Sequence, residues 1–389
     1  MTEHEIIRPI DVGSFPLDAD MSRYLNGARD MEKNGGRIET SDAEYFVSRH
    51  NAAFKEKLLA LGPESAVASY AQCRGMIDQF LLPIVRHVAR GHDQHDDTSS
   101  SFGGISLEEA QAVAVSIAVG NDSSPKTKLN LVEVLALQRD AKAICSDLGI
   151  DRISYKACIT GPLELALNLQ RIAHFPRAYN ERLVEYFAEV VETYVKSSIQ
   201  RSKYLQPAVI TMDEPAFGLE GFGDFFSDSS ADSNLEHLLH CWNDVYRSVP
   251  SDCYRGIHLH ASPFEYAFHA DWNLLEAHVG VYVKRQWLED YDKFIRAAIV
   301  RTDGPTIDDG ADIKAAWQEI LSGNYGHYIQ SGEEMEKHLR DSLSRYGAGR
   351  IPFAGPECGF GTWDWKHGSV MAAETLERMD QVIQRTNME

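Results

Sequence analysis

Two histidines at alternate positions, His258 and His260, stand at the end of a short apolar stretch and are of a residue type that binds metals. Alternate residues of a β-strand face the same side, so both imidazoles are expected to converge on one point. Zinc sites in proteins use imidazole and thiolate ligands and generally need at least three of them. Cys358, which follows another short apolar stretch, is the predicted third ligand. The alternative for the two histidines is an ordinary polar end of a buried strand.

An acidic pair, Asp213 and Glu214, directly follows the apolar stretch 208–212. Carboxylates beside a buried strand are costly unless they are solvated or paired. The pair is therefore predicted to be catalytic, either as an acid or base or by orienting a second substrate through hydrogen bonds. A simple strand-to-loop exit is the alternative.

Six further residues beyond apolar stretches are predicted to contact the substrate. The amides of a helix N-terminus can bind a carboxylate or sulfonate, arginines can clamp an anion, and an indole can stack on a flat group. The alternatives are helix capping, structural ion pairs and wall packing. The six residues are Ser14, Arg74, Thr160, Gly161, Arg301 and Trp363.

Eight short apolar stretches, mostly separated by helical patterns, predict an α/β fold. Their number and alternation favour a single (β/α)8 TIM barrel over an open sheet. We expect one domain over 1–389, with an insertion between the second and third strands. In such barrels the active site lies at the C-terminal ends of the strands, which brings distant residues together. The predicted strands are 8–15, 65–70, 153–159, 208–212, 255–261, 279–283, 297–300 and 351–354.

The insertion includes a polar segment, 90–104, and helices predicted at 106–119 and 128–148. His92 and His95 in this segment have metal-binding side chains. A solvated loop is the favoured interpretation, because no pattern around them indicates that they are held in place.

Composition narrows the class of protein. The 389 residues are 43% hydrophobic, and the formal net charge of −20 argues against a nucleic-acid partner. No apolar stretch approaches the roughly 20 residues needed to cross a bilayer, so no membrane association is expected. The six cysteines contain no CxxC pair, which is typical of a reducing compartment and predicts a cytoplasmic protein.

Five segments, in this order along the chain, resemble the catalytic domain of cobalamin-independent methionine synthase. The related superfamily includes uroporphyrinogen decarboxylase and coenzyme M transferases. The resemblance implies a (β/α)8 barrel, and many members use zinc to activate a thiol. The segments are Asp11-Val-Gly-Ser-Phe-Pro16, Ile159-Thr-Gly-Pro-Leu163, Met212-Asp-Glu-Pro-Ala216, Gly256-Ile-His-Leu-His260 and Gly355-Pro-Glu-Cys-Gly359.

Three positions depart from the family pattern. His260 stands where the family has cysteine. The glutamate ligand of the family is expected near Val283, which cannot coordinate a metal. The carboxylate that holds the homocysteine amine would fall within 70–72, where no acidic residue is present. The metal is therefore zinc or another ion such as iron, and homocysteine is not implied as the substrate.

Together these observations predict a zinc-dependent methyl or alkyl transferase that acts on a small-molecule thiol. His258, His260 and Cys358 are expected to bind the metal, and Asp213 to position or protonate the donor. Addition of the thiol to an epoxide or similar electrophile, a metal-free lyase and a catalytically inactive binding barrel remain alternatives. The acceptor thiol, the donor and the oligomeric state stay open.

Overall fold

The computed structural model describes residues 6–75, 77–89, 105–120, 129–218, 231–308 and 310–389. Within them, eight parallel strands form one sheet in the order β1-β8-β7-β6-β5-β4-β3-β2. The strands are β1 Arg8–Pro9, β2 Ala68–Ser69, β3 Ile153–Thr160, β4 Leu205–Asp213, β5 Tyr254–Leu259, β6 Leu274–Ala277, β7 Phe294–Val300 and β8 Phe353–Pro356.

The two end strands of this order, β1 and β2, also meet. Isolated parallel bridges join Ile10 to Val67 and Ser14 to Gln72. The Val67 amide donates to the Pro9 carbonyl at 2.9 Å. The sheet therefore closes on itself, and the predicted (β/α)8 TIM barrel is confirmed.

Helices connect the strands and pack around the sheet. In the described residues they are α1 Met21–Lys33, α2 Ser41–Ala60, α3 Leu82–Ala89, α4 Leu107–Ala118, α5 Val132–Leu148, α6 Pro162–Ala173, α7 Asn180–Ser198, α8 Ala231–Tyr246, α9 Arg285–Asp290, α10 Ile313–Ser322, α11 Gly332–Tyr346 and α12 Gly368–Met388. Three of them, α3 to α5, lie between β2 and β3, which confirms the predicted insertion. The polar segment 90–104, with His92 and His95, lies outside the described residues. No helix among the described residues is long and apolar enough to cross a membrane.

Helix α1 was absent from the sequence prediction, although its start carries a clear signal. The Asp20 side chain caps it by accepting from the Ser22 and Arg23 amides. Tyr24, Ala28 and Met31 are buried on one face, at the spacing of an amphipathic helix. The helix packs its buried side against α2.

The sixth strand lies earlier than the predicted 279–283. Strand β6 is Leu274–Ala277, and its buried pattern includes a charged residue, Glu276. That charge made the stretch unlike a buried strand in the sequence. In the structure, Lys156 pairs with Glu276 at 2.5 Å and Thr211 donates to it at 2.7 Å. The partners are 120 and 65 residues away, so the reason for the burial is not visible locally.

The interior of the barrel carries ion pairs as well as aliphatic side chains. Lys57 pairs with Asp11 at 2.7 Å, and both side chains are at most 3% exposed. The pair of Lys156 and Glu276 is fully buried. Buried ions are tolerated only where partners and hydrogen bonds satisfy them. The first pair joins α2 to the segment that follows β1, and the second joins β3 to β6.

Candidate metal centre and cavity

Three histidines and one cysteine converge at the C-terminal ends of β5, β6 and β8. Their ligand atoms all lie within 4.8 Å of one another, and the four residues are His258, His260, His278 and Cys358. The ring centroids of His260 and His278 are 4.1 Å apart. Those of His258 and His260 are 5.2 Å apart. The structure thus brings together the three predicted ligands and adds a fourth.

His278 was missed because the sixth strand was predicted too late. It follows β6 directly, two positions after Glu276. The register of the sheet pairs His258 with Glu276. Since alternate residues share a face, His278 points to the same side as Glu276, one layer higher. The alternation argument used for His258 and His260 would have found it, had 274–277 been recognised as the strand.

The side chains of this cluster have the properties of metal ligands. Both ring nitrogens of His258 and Nε2 of His278 are buried without a hydrogen-bond partner. Burial lowers the pKa of His258 well below its ordinary value and lowers that of His260 to about 4. The imidazoles are therefore neutral and keep a lone pair to donate. Unpaired buried nitrogens are costly, and a metal ion would satisfy one of them in each ring.

Cys358 completes the donor set. Burial raises the pKa of its thiol to about 11 in the protein alone. A bound cation reverses this effect, because coordination deprotonates the thiol. Three nitrogens and one sulfur are a donor set that zinc accepts, and other borderline ions accept it as well. The residues present fit a metal ion.

Glu357 supports this cluster from behind. Its carboxylate accepts hydrogen bonds from the amides of Val279 and Thr302, each at 3.1 Å. Its Oε2 lies 3.9 Å from His278 Nδ1. That distance is too long for a hydrogen bond. Glu357 therefore fixes the backbone next to His278 through its contact with the Val279 amide.

A cavity of about 1020 Å³ opens at the same end of the barrel. His260 and Cys358 form part of its wall, so the cluster is reached from it. Aromatic side chains form another part, with the ring centroids of Trp363 and Trp365 5.4 Å apart. Pockets of this size hold drug-sized ligands.

Asp213, the last residue of β4, lies in the cavity wall. Its Oδ1 is buried and has no hydrogen-bond partner. Burial, followed by repulsion from Glu164, raises the pKa of the Asp213 carboxyl to about 7. The structure therefore places a carboxyl with one unpaired oxygen in the same cavity wall as His260 and Cys358.

Glu214 faces away from the cavity. Its carboxylate accepts from the Leu163 and Glu164 amides at 3.0 and 2.9 Å and from Trp242 Nε1 at 3.0 Å. It therefore caps the N-terminus of α6 from inside the fold. Burial raises the pKa of Glu214 to about 8. Glu214 is not among the residues that line the cavity, so the cavity does not support its predicted catalytic role.

The amides at the start of α6, which were predicted to bind a substrate anion, instead donate hydrogen bonds to the Glu214 carboxylate. Thr160 and Gly161 precede α6 and lie outside the lining of the cavity. A Cβ at Gly161 would stand 2.2 Å from Cδ of Glu214. Glycine is therefore required at this position by the close approach of the capping carboxylate.

Of the next three residues predicted to contact the substrate, two line the cavity and one lies on the protein surface outside it. Ser14 lines the cavity, and its Oγ accepts from the Gly361 amide at 3.2 Å. Trp363 also lines it and donates from Nε1 to the Thr302 carbonyl at 3.1 Å. Arg301 is exposed and outside the lining. Ser14 therefore keeps access to a ligand, whereas Trp363 is buried in the wall at 2% exposure and Arg301 lies away from the cavity.

Arg74 lines the cavity, but its charge is already neutralised. Its guanidinium pairs with Glu32 at 2.6 Å and with Glu133 at 2.7 Å, and the side chain is 3% exposed. The two carboxylates belong to α1 and α5. Arg74 therefore joins the insertion to the N-terminal helices.

We expect Arg74→Met to lower the free energy of unfolding by about 3–5 kcal/mol, because it leaves the buried Glu133 carboxylate and the partly buried Glu32 carboxylate without their cation. Chemical denaturation measures this loss. Arg301→Met, at an exposed arginine, is the control and should unfold like the native protein. An Arg74→Met protein of native stability with an increased KM would instead make Arg74 a substrate-binding residue.

Comparisons with known proteins give structural matches only. Neither the family models nor the curated proteins match this sequence. Among solved structures, a putative vitamin-B12-independent methionine synthase from Listeria monocytogenes is similar with a TM-score of 0.51, at 12% identity and over 98% of both chains. A B12-independent methionine synthase from Shewanella sp. W3-18-1, in complex with selenomethionine, gives a TM-score of 0.43 at 15% identity. That match covers 65% of this chain and 67% of the other. The similarity to the Listeria protein shows a shared fold.

Proposed function

We propose that this chain, which shares its fold with a putative methionine synthase, is a metal-dependent transferase that moves a methyl or alkyl group to a small-molecule thiol. One observation carries the proposal: four ligand side chains lie within 4.8 Å of one another at a cavity that also contains an unpaired carboxyl. The fold similarity supports the placement of a site at this end of the barrel. The fold similarity does not indicate the reaction, which is inferred from the side chains of the site.

His258, His260, His278 and Cys358 are the residues that would hold the ion, with zinc as the proposed metal. When bound, zinc would supply the Lewis acidity that lowers the pKa of a substrate thiol. His260 and Cys358 line the cavity, whereas His258 is 1% exposed. The substrate thiol is therefore expected to approach from the side of His260 and Cys358, and it would bind as an additional ligand or in place of one of the four side chains.

Asp213 lies in the cavity wall, where it can carry the proton that the substrate thiol releases. A carbon–sulfur bond forms while the bond between that carbon and the leaving atom of the donor breaks. The proton that the thiol loses must reach the leaving atom. The carboxyl of Asp213 has one unpaired oxygen in the same cavity and can carry this proton.

The cavity is large enough for two substrates. About 1020 Å³ exceeds the volume that a small thiol requires, so space remains for a donor. Trp365, which is partly exposed, offers aromatic surface in the wall of this space. A flat or apolar donor would gain stacking contacts there.

The same residues favour a second candidate, the addition of a thiol to an epoxide. Ring opening forms the carbon–sulfur bond and leaves an alkoxide, which must receive a proton. Asp213 is an unpaired acid in the cavity that can supply it. Product identity separates this reaction from methyl transfer, since both share the thiol.

The test is product analysis with the full-length protein, purified without chelators. Small thiols are incubated with a methylated folate, a methylcobamide or an epoxide, and mass spectrometry identifies the products. We expect alkylated thiol with one donor class, loss of turnover after chelation and recovery after zinc is added. Turnover that survives chelation would favour a metal-free lyase. Ligand binding without turnover across all donors would favour a binding barrel.

We also propose the cytoplasm as the compartment of this protein. All six cysteines are free thiols in the structure, including Cys358. A free thiol ligand is preserved in a reducing environment. A small-molecule thiol and a methyl or alkyl donor remain the proposed partners.

A further inference from the structure

Arg296 lies in the middle of β7, the strand between β6 and β8 in the barrel. Its side chain is fully buried and points into the barrel interior. The register pairs it with Glu276 on one side and Phe353 on the other. It is therefore below the ends of the two strands that carry His278 and Cys358.

The guanidinium of Arg296 holds the backbone at both strand ends. It donates to the Ala277 carbonyl at 3.3 Å and to the Glu357 carbonyl at 3.2 Å. A further hydrogen bond goes to the Pro356 carbonyl. Ala277 immediately precedes His278, and Glu357 immediately precedes Cys358. One side chain thus connects the peptide groups in front of two of the four clustered residues.

Charge pairing alone does not explain this arrangement. The Nε atom of Arg296 is 3.8 Å from Glu276 Oε2 and has no hydrogen-bond partner. Glu276 has closer partners in Lys156, at 2.5 Å, and Thr211, at 2.7 Å. The short contacts of Arg296 go to the backbone carbonyls. Its planar fork reaches both strands, and a lysine ammonium cannot reproduce that geometry.

We infer that Arg296 is a positioning residue, which sets the separation between His278 and Cys358 so that both reach one ion. This inference rests on the proposed function, because it requires that the cluster binds a metal. Arg296 contacts neither the cavity nor the ligand side chains in the hydrogen bonds above. It positions the site through the backbone of β6 and β8. Its charge also adds to the effect of burial in lowering the pKa of His258 and of His278, and Arg296→Lys keeps that charge.

The experiment compares Arg296→Lys and Arg296→Met with the native full-length protein. Zinc affinity is measured by competition with a chromophoric chelator, and the Co²⁺-loaded proteins are examined by absorption spectroscopy for the thiolate-to-cobalt band. We expect both variants to bind zinc about 10–100-fold more weakly, the effect typical of lost outer contacts to metal ligands. The cobalt band should shift or weaken, because the thiolate of Cys358 is displaced. Arg296→Lys keeps the buried charge, so it remains informative if Arg296→Met does not fold.

Lys293→Met is the matched control, at the residue that immediately precedes β7. Lys293 is also a buried cation, and it donates to the carbonyls of Ala270 and Trp272 at 2.7 and 2.5 Å, at the opposite end of β7. This variant should be less stable but keep the native zinc affinity and cobalt spectrum. Native zinc affinity and spectrum in Arg296→Lys, or an equal loss in Lys293→Met, would overturn the positioning role alone. A native protein that binds no metal would overturn the proposed function and this inference together.

Discussion

Replacing Cys358 with alanine is expected to remove the metal and the transfer activity together. Cys358 is the only one of the four clustered residues that can bring a negative charge, since the three imidazoles are neutral ligands. Its loss would leave three neutral donors and no negative charge in the cluster to offset the positive charge of the ion. Elemental analysis of the native protein should find about one zinc per chain, and the variant should retain little of it.

Cys253→Ala is the matched control for this experiment. Cys253 is also a buried free thiol, but it precedes β5 at the other end of the barrel and lies outside the cavity wall. The control should retain metal and turnover. If Cys358→Ala kept both, the proposed site would have to be abandoned. A different metal in the native protein would preserve the site and change the proposed chemistry.

Replacing Asp213 with asparagine is expected to lower kcat by about 10²–10⁴-fold, the range typical of a lost proton-transfer group. The amide keeps the size of the carboxyl and loses its capacity to exchange a proton with the substrate. Metal content should remain native, because Asp213 is not among the four residues of the cluster. Steady-state kinetics and elemental analysis on the same preparation measure the two properties.

Asp364→Asn provides the comparison, since Asp364 also lines the cavity but is exposed near its opening. We expect kcat close to the native value in this variant. Native turnover in Asp213→Asn would remove Asp213 from the mechanism. Loss of metal in Asp213→Asn would instead give it a role in holding the cluster, and the kinetic effect would then be indirect.

The barrel could be predicted because its signals are local. Alternation of apolar stretches with helical patterns predicted the eight-strand barrel and the insertion that now comprises α3 to α5. Alternation also placed His258 and His260 on one face, and the end of the last apolar stretch pointed to Cys358. The structure brings all three together. Whether they bind zinc is still a prediction.

The errors in the prediction come from pairings between distant segments. Glu276 made β6 look unlike a buried strand, and only its pairing with Lys156 explains the burial. Because β6 was predicted too late, His278 was missed as the fourth member of the cluster. Glu214 looked like a free carboxylate, although it caps α6.

The sequence by itself therefore determined most of the strand and helix pattern, though not α1 or the position of β6, together with the class of fold and three of the four residues suited to bind a metal. Periodicity and alternation act over a few neighbouring residues, so the chain displays them directly. Tertiary structure alone decided which charges are free and which are paired. A buried charge takes its partner from wherever the fold brings one, as Arg74 does with Glu32 and Glu133. For that reason, His278 and Arg296 became candidates only when neighbouring strands were seen side by side.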